Sequence, residues 1–242
     1  MTETLVGWHA VNALIQRSPA RVQQLYAMDS IAPGKREQLE QSGIKLQVLN
    51  KDAFLKQVRF DEGLAHQGVA ALAEPAQVLP EGALVEHLQG AQPLVLALDG
   101  VTDPRNLGAI LRTAEAAGVS VVIQPKDNSA ALNGAARKTA CGAAELVPLV
   151  QVTNLKRTLE KLRKDAYWVS GAAGEEGSVP MTQADLTGPR VIVMGSEGKG
   201  LRKSVREACD QLVAIPMLGA VSSLNVSVAT VILLYEAIRQ RG

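Results

Sequence analysis

Three short stretches hold the side chains that can do chemistry. The first is Asn106-Leu-Gly-Ala-Ile-Leu-Arg112, where Leu107, Ile110, Leu111 and Ala114 recur at i, i+3, i+4 and i+7 and define the buried face of a helix. Gly108 and Arg112 fall four apart on another face, and helical side chains lean toward the N-terminus. Arg112 is therefore expected over a bare glycine, where its guanidinium fork can take a phosphate. The plainer alternative is a solvated pair with Glu115 at i+3. The second stretch is Gly195-Ser-Glu197-Gly-Lys-Gly200, a glycine-rich turn that follows an apolar run. It matches neither GxGxxG nor GxxxxGK[ST], and the Glu197 carboxylate would repel a polyphosphate. A cationic or hydroxyl-bearing ligand suits it better. The third, Ser222-Ser-Leu-Asn225-Val-Ser227, heads the most apolar helix of the chain, where unpaired N–H groups can meet a polar ligand. Ser223 or Asn225 acting only as an N-cap is the simpler reading.

The elements that must position these stretches alternate between helix and strand. Residues 1–73 read as αβαβαβ, with helices over 6–16, 35–41 and 51–58 and strands over 22–28, 45–49 and 68–73. Residues 74–92, punctuated by Pro75, Pro80, Gly82 and Gly90, read as a linker. Residues 93–242 read as a second α/β domain, in which apolar strands alternate with helices. That pattern predicts a mostly parallel sheet with helices on both faces. The last helix, over 224–240, has almost no polar face for two turns. Burial on every side is expected for it, inside a core or between two subunits.

Composition bounds the partners. The 242 residues are 47% hydrophobic, 20% charged and only 3% aromatic, with a net charge of +1. No overall positive field advertises a nucleic acid, so RNA contact would rest on local patches. The densest are Lys156, Arg157, Lys161 and Lys164, and then Arg202, Lys203 and Arg206. So few aromatics argue against stacking many single-stranded bases. Cys141 and Cys209 lack metal or disulfide spacing, which fits a reducing, cytoplasmic compartment. His9, His66 and His87 are scattered, and no metal site is expected. The start has no secretory pattern, and no apolar run is long enough for a membrane span.

In order and spacing, NLGAILRTA, GSEGKGL, and IPM with SLNVSVA resemble the three signatures of the SpoU (TrmH) family of RNA ribose 2′-O-methyltransferases, of the SPOUT class. DGVTDPRN, PKDNSAALNGAARKTACGAAE and the N-terminal unit extend the likeness over nearly the whole chain. The resemblance implies a deep trefoil knot in the C-terminal domain and a small N-terminal α/β RNA-binding domain. It implies a homodimer packed through the terminal helix and S-adenosyl-L-methionine as cofactor. The activity it implies is methyl transfer to the ribose 2′-OH of a guanosine in 23S rRNA, in the peptidyl-transferase region. By the same likeness Asn106, Arg112, Glu197, Ser223 and Asn225 would form the catalytic pocket, and backbone around Gly195, Ile215 and Leu224 would hold the adenosine. Whether Arg112 is a general base or a phosphate clamp stays open. A catalytically silent RNA-binding factor on this scaffold is disfavoured by the presence of Asn106, Arg112, Glu197 and Asn225. A Rossmann oxidoreductase is disfavoured because GxGxxG and its acidic ribose partner are missing.

Overall fold

A computed structural model describes residues 2–60 and 65–242. Their contacts divide the chain into Met1–Gln77 with Cys141–Leu146, and Val78–Ala140 with Val147–Gly242.

The first unit carries strands β1 (Glu3–Val6), β2 (Val22–Met28), β3 (Leu46–Leu49) and β4 (Val69–Ala73), with helices α1 (Trp8–Arg17), α2 (Pro33–Gln41) and α3 (Lys51–Gln57). The sheet order is β1-β4-β2-β3, with β4 antiparallel to both neighbours and β2 parallel to β3. Val11 and Leu14 of α1 pack on Leu25, Ala27, Val69 and Ala71 in its core. β1 escaped the helical pattern, which began at Val6. Gly7, at φ 95°, breaks the chain between strand and helix. The segment 141–146 joins this unit through Glu145, whose buried carboxylate accepts from Arg21 and from the Ala76 N–H.

The second unit follows the alternating pattern closely. Its elements are β5 (Leu79–Pro80), β6 (Leu94–Asp99), α4 (Pro104–Ala116), β7 (Val121–Pro125), α5 (Gly134–Ala140), β8 (Leu149–Val152), α6 (Leu155–Lys164), β9 (Trp168–Ala172), β10 (Val179–Pro180), β11 (Arg190–Gly195), α7 (Lys203–Arg206), β12 (Gln211–Ala214) and α8 (Val226–Arg241). They build an eight-stranded sheet in the order β10-β12-β9-β11-β6-β7-β8-β5, with every pairing parallel. Val95, Ala97, Val121, Ile123, Val191 and Val193 share a core with Leu155, Leu159 and Leu162 of α6. Their strand neighbours Leu94, Leu96, Leu98 and Val122 point to the opposite face and are equally buried, as are Leu107, Ile110 and Leu111 of α4. Both faces are covered, which is why these strands read as continuous apolar runs.

One expectation needs correction. Residues 78–92 are part of the second unit, because Leu79 pairs with Val150 at the sheet edge and Leu84 is buried in its core. The prolines and glycines there end a short strand and a 3-10 turn (Glu81–His87). Within the protomer the terminal helix buries one face. Val226, Thr230, Leu233, Leu234 and Ala237 face inward, whereas Val228, Val231 and Tyr235 are 46%, 39% and 49% exposed. Among the described residues no helix is long and apolar enough to cross a membrane, and no group of three or more His, Cys, Asp or Glu is gathered for a metal.

Candidate active site

Parallel sheets place their ligands beyond the carboxyl ends of the strands, and the three chemical stretches converge there. β6 ends at Asp99 and leads, through Asp103, into α4. The Asp103 carboxylate caps that helix by accepting from the Arg105 N–H at 2.8 Å. Asn106 therefore sits in the first turn of α4. The neighbouring strand β11, in register with β6 from Arg190↔Leu94 to Gly195↔Asp99, delivers the glycine-rich loop beside it.

Two contacts fix the base of that loop. Ser196 and Gly200 exchange backbone hydrogen bonds at 3.1 and 2.9 Å, and a Cβ on Gly195 would lie 2.3 Å from the Gly200 carbonyl carbon. Any residue but glycine at 195 would push the loop open. Asp99, 1% exposed, then accepts from the Arg202 N–H at 2.8 Å and from its Nε at 2.6 Å. The buried carboxylate pins the loop where it leaves for α7.

Glu197, at the tip, is the hub of the site. Its Oε1 accepts from Asn106 Nδ2 at 3.1 Å, from the Val226 N–H at 3.3 Å and from Asn225 Nδ2. Asn225 Nδ2 also donates to Asn106 Oδ1 at 3.1 Å. The other end of the same amide caps α8, since Asn225 Oδ1 accepts from the Ser227 N–H at 2.9 Å and from its hydroxyl at 2.6 Å. The capping and pocket readings of Asn225 thus belong to different atoms of one side chain. Ser223 is exposed and lines the cleft without capping the helix.

Arg112 lies two turns along α4 and is exposed. The bare surface expected beneath it does not exist. Gly108 is buried against α5, where a Cβ would come within 2.3 Å of the Ala136 carbonyl oxygen and 2.7 Å of Thr139 Cβ. This glycine serves close packing of two helices, not approach of a ligand.

Beside the hub opens a cleft of about 460 Å³. Gly195, Ile215 and Leu224 line it, together with Ala172, Ala173, Met194, Val213 and Met217. Gly174, Gly198 and Gly200 leave open space where side chains would stand. Apolar walls, bare backbone and the carboxylates Glu175 and Glu197 fit a nucleoside that carries a positive charge, and so fit S-adenosylmethionine. Cys209 packs against Gly171, and burial pushes its thiol up to about 12, so it offers no thiolate nucleophile at neutral pH.

Sequence reasoning missed four residues here. Asp99 and Glu175 were given no role, while Arg202 and Arg206 were assigned to a basic patch. Arg202 is instead held by Asp99, and Arg206 Nη1 meets Glu175 Oε2 at 2.6 Å. In the other patch Lys156 lies 3.8 Å from Glu160 and Arg157 3.5 Å from Glu81. Lys161, Lys164 and Lys203 form no ion pair among the described residues and are exposed.

The sequence profile described as the SpoU rRNA Methylase family matches residues 93–235, which hold this entire constellation. The chain belongs to that family. A relative from Pseudomonas syringae pv. tomato, named 23S rRNA (guanosine-2'-O-)-methyltransferase RlmB, is 52% identical over 99% of this chain and 96% of its own. The Escherichia coli K12 protein of the same name is 46% identical over the full length of both chains. Among solved structures, an rRNA methyltransferase from Sinorhizobium meliloti with bound AdoMet is similar at TM-score 0.70 and 25% identity, covering 98% of this chain and 87% of that one.

Proposed function

We propose that this chain transfers a methyl group from S-adenosylmethionine to the ribose 2′-OH of a guanosine in 23S rRNA, in the peptidyl-transferase region. The observation that carries the reading is the three-way junction of Asn106, Glu197 and Asn225 beside a nucleoside-sized cleft. The two relatives of 52% and 46% identity over the whole chain support the substrate.

When bound, S-adenosylmethionine supplies a methyl group made electrophilic by its sulfonium. Gly195, Ile215 and Leu224 hold the nucleoside through backbone and apolar contact. Asn106, Glu197 and Asn225 lock one another, so the geometry around the ribose hydroxyl is fixed before RNA arrives. Such preorganisation reduces barriers by up to about 7–11 kcal/mol. A guanidinium is a fork of donors and no acceptor, so Arg112 clamps the neighbouring RNA phosphate and stabilises the forming alkoxide. The hydroxyl proton leaves to water or to that phosphate.

The same reading makes the N-terminal unit, residues 1–77 with 141–146, an RNA-binding domain and the second unit, which holds the rest of the expected 93–242 domain together with 78–92, the methyltransferase domain, working in the cytoplasm. It includes a trefoil knot, which membership of the SpoU family supports; β12 lies beyond β9 in the sheet and α8 packs on α4. It includes a homodimer, for which the exposed Val228, Val231 and Tyr235 of α8 offer the surface. The test is incubation of the chain with labelled S-adenosylmethionine and either 23S rRNA or tRNA. Label on the ribose of a 23S guanosine is expected. Label on a base nitrogen, or on tRNA alone, would defeat the proposal.

A further inference from the structure

The cleft carries two charged features on opposite sides of β11. The hub around Glu197 stands over β11 and β6, and β9 leads instead to Glu175. Glu175 opens a tight turn in which its carbonyl accepts from the Ser178 N–H at 3.1 Å, so its backbone is held. Its side chain, 38% exposed, meets Arg206 Nη1 at 2.6 Å, and Arg206 Nη2 is itself anchored on the Leu201 carbonyl at 3.2 Å. Both residues line the cleft. The arginine therefore braces the carboxylate at the mouth while leaving it open to a ligand.

Which part of a ligand it meets follows from the strand order. β6 and β9 flank β11, two strand spacings apart, on the order of 10 Å. Given the proposed function, on which this step rests, the reacting end of the cofactor lies at the hub over β6 and β11. The side over β9 then receives the nucleoside end. A carboxylate is the ordinary partner of a vicinal ribose diol, because it accepts from both hydroxyls. We propose that Glu175, braced by Arg206, is a binding residue that accepts from the ribose hydroxyls of the cofactor and sets the preference for a ribonucleoside.

The experiment is calorimetric titration of the full chain and of Glu175→Gln with S-adenosylhomocysteine, its 2′-deoxy analogue and methylthioadenosine, which lacks the amino-acid tail. The substitution sits on an exposed turn and keeps an acceptor for Arg206. The parent is expected to lose about tenfold in affinity when the hydroxyl is removed, the scale of one charge-assisted hydrogen bond. Glu175→Gln is expected to bind S-adenosylhomocysteine and methylthioadenosine about tenfold more weakly and to discriminate little between the ribo and deoxy forms. Undiminished discrimination by the variant overturns the proposal while the functional reading stands. Weaker S-adenosylhomocysteine binding with unchanged methylthioadenosine binding also overturns it, since the carboxylate would then serve the amino-acid tail. A parent that binds none of the three removes both this proposal and the functional reading.

Discussion

Asn225 performs two tasks with the two ends of one amide, and Asn225→Ser separates them. Serine is about as good an N-cap as asparagine. The hydroxyl can replace Oδ1 toward the Ser227 N–H, so the stability of α8 should change by less than about 0.5 kcal/mol. What serine lacks is Nδ2, which donates to Glu197 Oε1 and to Asn106 Oδ1. Both hydrogen bonds are solvent-exposed, which puts each near the low end of its range, about 0.5 kcal/mol for the one between amides and about 1.5 kcal/mol for the one to the carboxylate. Removing both loosens the junction by about 2 kcal/mol, or roughly 30-fold in rate if that order is needed at the transition state. Thermal unfolding and single-turnover methylation of 23S rRNA, with both substrates saturating, make the assay. The expected result is a midpoint a few degrees lower, from the loss of the same two bonds, with a rate about 30-fold lower. Parental turnover at an unchanged midpoint would refute the reasoning, because the amide bridge would then be dispensable.

If Arg112 is a phosphate clamp, Arg112→Lys keeps charge and gives up the fork, so the KM for RNA should rise about tenfold. Its single-turnover pH profile should superimpose on the parent's, and a displaced acidic limb would make the side chain the proton acceptor instead. On α8, Val231→Glu places a charge on the exposed face and should give a folded monomer by light scattering; a dimer that persists moves the interface elsewhere. Leu233→Asp, by contrast, puts a carboxylate at a site only 2% exposed and should cost about 3–5 kcal/mol, unfolding the protomer itself. Replacing Lys161 and Lys164 by Gln should flatten the log–log salt dependence of RNA binding by about one unit for each phosphate that is no longer neutralised, and an unchanged slope leaves them as solvated charges.

The elements were legible where one rule dominates. The strand over 22–28 and the helix ending at Gln41 follow from periodicity, and the runs in β6 and β11 announce a sheet covered on both faces. β1 was not legible, because four residues of mixed character before a helix carry no period of their own. The edge strand β5 hid among prolines, since two residues paired to β8 leave no pattern. Glu197 stood out by being the wrong charge for a phosphate loop, and Asn225 by heading an apolar helix. Their junction with Asn106 joins residues 91 and 119 positions apart, a pairing no local signal encodes. The ion pairs of Arg202 and Arg206 were hidden for the same reason: a basic cluster shows no partner in sequence until Asp99 and Glu175 arrive from distant parts of the chain.

The central claim is chemical, and one measurement tests it directly. 23S rRNA lacking the modification is treated with the chain and S-adenosylmethionine, digested to nucleosides and separated by mass. The account predicts close to one 2′-O-methylguanosine gained per 23S molecule, and a strongly reduced yield with Glu197→Ala. A base-methylated guanosine, or a gain that survives removal of the Glu197 carboxylate, would contradict it.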